Sequence, residues 1–200
     1  EEVIRFVSRY IRRRIGINEF FDVYSAPQEP KVLDVGCGIG RHVKFLSEYG
    51  IEAYGFDLAT EAVGTAQSLL RHFNFPQSAE RVIAASITNL PYEDNFFDFM
   101  VSHGVLDSMH FDIAKEGMKE LSRCIKQHGL FYLDLISGDD SDHNQEYAGE
   151  AIVEQEHEKG TIQSYFSYAK IEELAGNNFG IKEAYLIRNT SVLSGKFHSR

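Results

Sequence analysis

Apolar residues along this 200-residue chain recur with two different periods, and the alternation between them predicts the fold. Val3, Phe6, Val7, Tyr10, Ile11 and Ile15 follow i, i+3, i+4 spacing, so residues 2–15 are predicted to form an amphipathic helix with its arginines on the other face. Pro27 and Pro30 bracket a short connection to the next segment. Lys31–Val35 then reads as a buried strand running into glycines, and Arg41–Tyr49 as a helix closed by Gly50. Ile51–Phe56 is a second strand, followed by a helix that Thr60 can cap and that continues to about Phe73. Arg81–Ala85 and Phe97–His103 are the third and fourth strands. Asp112 can cap a helix over Ile113–Gln127, and Gly129–Ile136 is the fifth strand. Strands alternating with helices across short connections predict an α/β fold, a parallel sheet doubly wound with right-handed crossovers.

The pattern changes in the last third. Ala151–Glu156 and Thr161–Phe166 flank Lys159-Gly160, which suits an antiparallel hairpin inserted above the sheet. Ser167 can cap a short helix through about Gly176. Ile181–Arg188 reads as a sixth strand, and Gly195–Arg200 as the opening of a seventh that is cut short. The expectation is one domain over residues 1–200, built on a mostly parallel seven-stranded sheet with an N-terminal helix and a small hairpin insertion.

Charge narrows the function classes. The net charge is −10, and residues 134–160 hold nine acids against Lys159, while residues 1–30 balance five arginines with five acids. A protein that tracks phosphates usually carries a basic field, so a nucleic-acid partner is not expected. The acidic stretch reads as a solvated loop and hairpin, or as a rim that steers cationic substrates. The apolar runs are too short to cross a bilayer and no basic-then-apolar leader opens the chain, which predicts no membrane partner and a cytoplasmic location. Cys37 and Cys124 form neither a CxxC nor a zinc spacing, and His143 and His157 in the acidic segment lack a third ligand at sensible spacing, so no metal is expected.

The clearest chemical signal is the strand-loop-helix Val32-Leu33-Asp34-Val35-Gly36-Cys37-Gly38-Ile39-Gly40-Arg41-His42. Glycine is favoured where the backbone turns sharply at the end of a buried strand and a ligand must approach the main chain. The spacing is GxGxG, with Arg41 where a dinucleotide fingerprint wants a third glycine or alanine, and the GK[ST] ending of a P-loop is missing. Asp57 follows Gly36 by 21 residues, at the end of the second strand. A carboxylate there can accept hydrogen bonds from both hydroxyls of a ribose, or can simply complement a helix N-terminus.

With these residues the chain resembles the class I S-adenosylmethionine-dependent methyltransferases. The likeness is carried by VLDVGCGIG, by Asp57, by LPYEDNFFDFMVSHGVLDSM and by KELSRCIKQHGLFYLDLIS, over roughly residues 30–137. The resemblance implies a Rossmann-like fold with S-adenosylmethionine as cofactor and S-adenosylhomocysteine as product. It implies that Asp34, Gly36, Gly38 and Gly40 cradle the methionine portion and that Asp57 and Leu58 meet the ribose and adenine. Ser86 and Ile87 then fall beside the adenine, and His103 at the end of the fourth strand. Many relatives carry an aspartate at the Ser86 position to accept from the adenine amino group. Ser86 can accept that bond without charge assistance. His103 reads as a cofactor-lining residue, as a general base facing the substrate, or as a packed strand-end histidine. His42, one turn into its helix, reads as packing or solvent-facing.

On this reading residues 1–24 form a helical lid, 30–137 a cofactor-binding core and 138–170 a substrate-side insertion. The expected function is methyl transfer to a small-molecule acceptor by in-line substitution. A cofactor-binding regulatory domain of the same fold and an NAD-type oxidoreductase are the alternatives. The catalytic residues, the accepting atom and the oligomeric state are not legible.

Overall fold

The computed structural model describes residues 2–26, 28–143, 146–154 and 160–200. The chain begins with α1 (Glu2–Tyr10), β1 (Arg12–Gly16), β2 (Glu19–Asp22), β3 (Lys31–Val35), α2 (Arg41–Glu48), β4 (Glu52–Asp57), α3 (Thr60–His72), α4 (Pro76–Glu80) and β5 (Val82–Ala84). It continues through β6 (Phe97–His103), α5 (Phe111–Cys124), β7 (Ile125–Asp134), β8 (Glu150–Ile152), β9 (Ile162–Ser164), α6 (Tyr168–Ala175), β10 (Arg188–Thr190) and β11 (Phe197–Ser199). These elements fall into two compact units. One comprises residues 1–103 and 123–133, the other residues 104–122 and 134–200.

The first unit holds a five-stranded sheet in the order β5-β4-β3-β6-β7. Strand β3 pairs in parallel with β4 and with β6, and β4 pairs in parallel with β5. Strands covered on both faces need near-continuous apolar runs, and Val32, Leu33, Val35, Phe97, Met100 and Val101 are all fully buried. The expected mostly parallel winding is present. The expected seventh and sixth sheet strands are not, among the described residues.

Helix α1 is shorter than its periodicity predicts. It stops at Tyr10, and Arg12–Gly16 turns back as a hairpin strand against Glu19–Asp22. Asn18 takes the left-handed turn conformation at φ 57°, which asparagine tolerates better than most residues. Arg12 then leaves the helical face. Its guanidinium donates to the carbonyls of Tyr49 and Gly50 at 2.8 and 3.0 Å and pairs with Asp22 and Glu29. The apolar face of α1 is used on the sheet: Val3, Phe6 and Val7, with Ile11 just past the helix, are buried in one cluster with Val32, Phe99 and Val101. The Phe6 ring lies 6.2 Å from Phe99 and 5.7 Å from Tyr132 between centroids. The side chains that suggested a lid are therefore core residues of this unit.

Two caps also differ from expectation. Ala59 occupies the N-cap position of α3, so Thr60 is the first helical residue rather than the cap. Helix α5 begins at Phe111, with Asp112 in its first turn, and the Glu150 carboxylate accepts from Phe111 N at 2.7 Å.

In the second unit β8 and β9 pair antiparallel, Glu150 opposite Ser164, as the hairpin reading expects; Glu156, His157 and Lys159 of that reading lie outside the described residues. Ser167 caps α6 by accepting from Lys170 N at 3.3 Å, and Gly176 closes it. Of the predicted sixth strand, Ile181–Arg188, only the last residue lies in a strand: Arg188–Thr190 pairs with Phe197–Ser199, Arg188 opposite Ser199 and Thr190 opposite Phe197. Tyr185 and Leu186 are left exposed. Among the described residues no helix is long and apolar enough to cross a membrane.

Candidate cofactor site

Parallel register brings the predicted residues to one edge of the sheet. Val35 lies opposite Phe56 of β4 and Ser102 of β6, and Asp57 lies opposite Ala84 of β5. The loop after β3, the acid ending β4, the turn after β5 and His103 ending β6 therefore share the carboxyl ends of four neighbouring strands. Ligands of open α/β sheets bind at that edge.

The loop itself is built from left-handed glycines, with φ of 64° at Gly36, 51° at Gly38 and 80° at Gly40. A Cβ on Gly40 would stand 2.9 Å from Ala66 Cβ of α3, so this glycine lets loop and helix touch. A Cβ on Gly38 would meet nothing within 4 Å. The space beside Gly38 is open, as a cradle for a ligand requires.

Asp57 fixes the loop to the next strand. Gly38 N–H donates to Asp57 Oδ2 at 2.8 Å, and Ala59 N–H donates to Oδ1 at 2.9 Å. Cys37 N–H donates to Phe56 O at 2.8 Å, and Ala85 N–H to Asp57 O at 3.0 Å. Each carboxylate oxygen has about two lone-pair sites, so one remains on each for a further donor. The sequence assigned Asp57 to a ligand; the structure adds that it also holds the loop in shape. Leu58, beside it, is 78% exposed and offers an apolar surface at the same edge.

Ser86 and Ile87 lie in the turn just past β5. The Ser86 hydroxyl bonds with Thr88 Oγ1 at 2.9 Å and also accepts from Thr88 N, so it is already engaged in its own turn. Ile87 is buried. His103 is exposed at the end of β6, and its ring meets His42 edge-on at 5.7 Å between centroids.

Asp34 sits beneath this edge and is 1% exposed. Its Oδ2 is buried with no hydrogen-bond partner, and its Oδ1 is 3.6 Å from His42 Nδ1. Burial raises the Asp34 pKa, and His42 opposes the rise. Burial also pushes the Cys37 thiol well up, so it is held as an inert thiol. The contact of His42 with Asp34 is what sequence reasoning missed. Its only signal was spacing: His42 follows Asp34 by eight positions, across a strand end and the glycine loop.

The orphaned Asp34 oxygen, the open space at Gly38 and the remaining acceptor capacity of Asp57 fit a ligand with a ribose and a polar, partly cationic tail. These features lie on an α/β fold of the kind the methyltransferase resemblance implies. The family model described as a methyltransferase domain matches residues 33–133, half of the chain. The chain belongs to that family, within the class I superfamily whose cofactor is S-adenosylmethionine. YcgJ, an uncharacterized methyltransferase of Bacillus subtilis, is 30% identical over 105 residues, 52% of this chain and 40% of YcgJ. Norajmaline N-methyltransferase of Rauvolfia serpentina is 33% identical over 107 residues, 52% of this chain and 36% of that enzyme. A solved SAM-dependent methyltransferase of Methanosarcina mazei superposes with a TM-score of 0.68 at 20% identity, covering 87% of this chain and 91% of its own, a likeness of fold. The chain spans about two-fifths of the length of the curated relatives it matches.

Proposed function

We propose that this chain is a methyltransferase that moves the methyl group of S-adenosylmethionine to a small-molecule acceptor by in-line substitution. The observation that carries the reading is the clamp of Asp57 on Gly38 inside the span matched by the methyltransferase family. When bound, S-adenosylmethionine supplies a methyl carbon already activated by its sulfonium. The protein's part is then orientation, which can supply on the order of 7–11 kcal/mol. The free acceptor sites of Asp57 take the two ribose hydroxyls, the space at Gly38 takes the methionine portion, and Leu58 covers the adenine side. Ser86, Ile87 and His103 complete the assigned binding set. A dedicated base is not required where the acceptor gives up its proton readily.

Acceptor choice is assigned to residues 138–170, outside the family match, since Val3, Phe6, Val7 and Ile11 of residues 1–24 are committed to the core. Two observations support a small acceptor over a nucleic acid. One relative is named for norajmaline, a small molecule, and the net charge of −10 opposes a polyanion. The test is calorimetric titration with S-adenosylmethionine, followed by mass-spectrometric detection of methylated products across a panel of amine, hydroxyl, thiol and carbon acceptors. Binding with transfer supports the proposal. Binding with no transfer to any acceptor replaces it with a cofactor-binding domain, and no binding at all refutes it.

A further inference from the structure

The glycine loop rests on a carboxylate that the loop does not satisfy. Asp34 Oδ2 is buried and has no donor, while Oδ1 faces His42 Nδ1 at 3.6 Å, an ion-pair distance too long for a hydrogen bond. His42 stands in the first turn of α2 with 29% of its side chain exposed. The titratable groups that bear on Asp34 are His42 from α2, His103 from the end of β6, Asp57 from the end of β4 and Cys37 from the loop. Two of these are potential cations, and the His42 ring lies at ion-pair distance. An ionised carboxylate this deeply buried is costly unless a counter-charge or a proton accompanies it.

We propose that His42 is a positioning residue for the cofactor loop, the counter-charge at ion-pair distance from Asp34, so that the pair sets the charge presented beside Gly36 and Gly38. The inference rests on the cofactor reading above and adds a residue and a proton to it. S-adenosylmethionine carries a net positive charge at neutral pH, from a sulfonium and an ammonium against one carboxylate. S-adenosylhomocysteine lacks the sulfonium charge. A pair that holds an extra proton in the empty loop gives it up when a cation binds near it. Donor binding therefore releases protons, and product binding releases fewer. Donor affinity rises with pH through the titration of the pair, by at most about tenfold per pH unit for one linked proton.

The experiment has two readouts on the full chain. The first needs no ligand: the Asp34 carboxyl carbon is followed by NMR across pH in the wild type, His42→Gln and His103→Gln. Removing the opposing charge in His42→Gln moves the Asp34 midpoint up by about one pH unit or more. An unchanged midpoint overturns the proposal, as does a shift that follows His103→Gln and not His42→Gln. His42→Asn serves if the glutamine variant does not fold. The second readout is calorimetry of S-adenosylmethionine binding in phosphate and in Tris at one pH. The wild type shows buffer-dependent heats that report proton release, and His42→Gln reduces them; equal heats in the two proteins overturn the proposal. Should the wild type bind no S-adenosylmethionine, the cofactor reading fails, and the ligand-free titration still decides the pair.

Discussion

Asp57→Asn separates the two roles of this carboxylate better than any truncation. The aspartate accepts from Gly38 N–H at 2.8 Å on one oxygen and from Ala59 N–H at 2.9 Å on the other. Asparagine has the same shape, but one of its two positions is an NH2 that only donates. Whichever way the amide turns, one backbone donor faces another donor. If Nδ2 faces Gly38, the loop loses its tie to β4; if it faces Ala59, the entry to α3 loosens. A hydrogen bond to a charged group contributes about 1.5–3 kcal/mol, so the variant should be destabilised by roughly one such bond. For a chain of this size that corresponds to a fall in melting temperature of about 3–12 °C, at 2–4 °C per kcal/mol. Donor affinity should fall further than stability alone explains, because the ribose hydroxyls then meet a neutral acceptor in a displaced loop. A loss of about tenfold to a hundredfold in calorimetric affinity is expected, at 1.4 kcal/mol per tenfold. Thermal unfolding by circular dichroism and titration with S-adenosylmethionine, run on the same preparation, check both halves. A variant that melts within a degree of the wild type refutes the clamp, whatever its affinity. One that melts lower but binds as tightly refutes the ribose role.

The glycine loop gives a paired prediction. Gly40→Ala should lower stability by about 1–3 kcal/mol, because its Cβ stands 2.9 Å from Ala66 at a φ of 80°, whereas Gly38→Ala bears only the backbone strain of a φ of 51°, its Cβ meeting nothing within 4 Å, and should melt above Gly40→Ala while weakening cofactor binding. Comparable melting points for the two variants would contradict that division. Phe6→Ala should cost about 3 kcal/mol or more by denaturant titration, since the ring is buried against Phe99 and Tyr132; a near-neutral result would return α1 to a covering role. Asp98 supplies a pH prediction. Burial works against its ionisation, but hydrogen bonds from Lys126 Nζ, Lys31 N and Tyr24 Oη outweigh it and lower its pKa. A carboxylate lowered in the fold stabilises fully above its unfolded value of about 4, and that contribution is lost as pH falls through the folded value. Asp98→Asn should therefore flatten the acid limb of the stability curve, measured by urea titration from pH 6 down to pH 2; an unchanged limb would show that Asp98 contributes nothing to it. Asp107, which burial raises in spite of Arg200, acts with the opposite sign and costs stability as pH rises past the ordinary carboxylate range.

Local pattern carried much of this architecture. The apolar runs of β3, β4 and β6, the glycines at 36, 38 and 40, the acid at 57 and the cap at Ser167 were legible because each depends on a few neighbouring residues. A buried strand must be apolar, a left-handed turn favours glycine, and a helix start wants a hydroxyl acceptor. Such requirements are written in sequence order. The chain could not announce what depends on which distant surface an element finds. The period of α1 continued on paper to Ile15, but the pull of Asp22, Glu29 and two carbonyls on Arg12 made a hairpin cheaper than another helical turn. Ile181–Arg188 carries the apolar and β-favouring residues of a strand, yet only its last residue joins one, Arg188–Thr190 pairing with Phe197–Ser199. The carboxylate of Asp57 was visible as a ligand group, while its grip on Gly38 needed the register of β3 against β4. His42 and Asp34 met for the same reason: a tight glycine turn folds a helix back over the strand end that precedes it, and only that three-dimensional return puts an imidazole beside a buried acid.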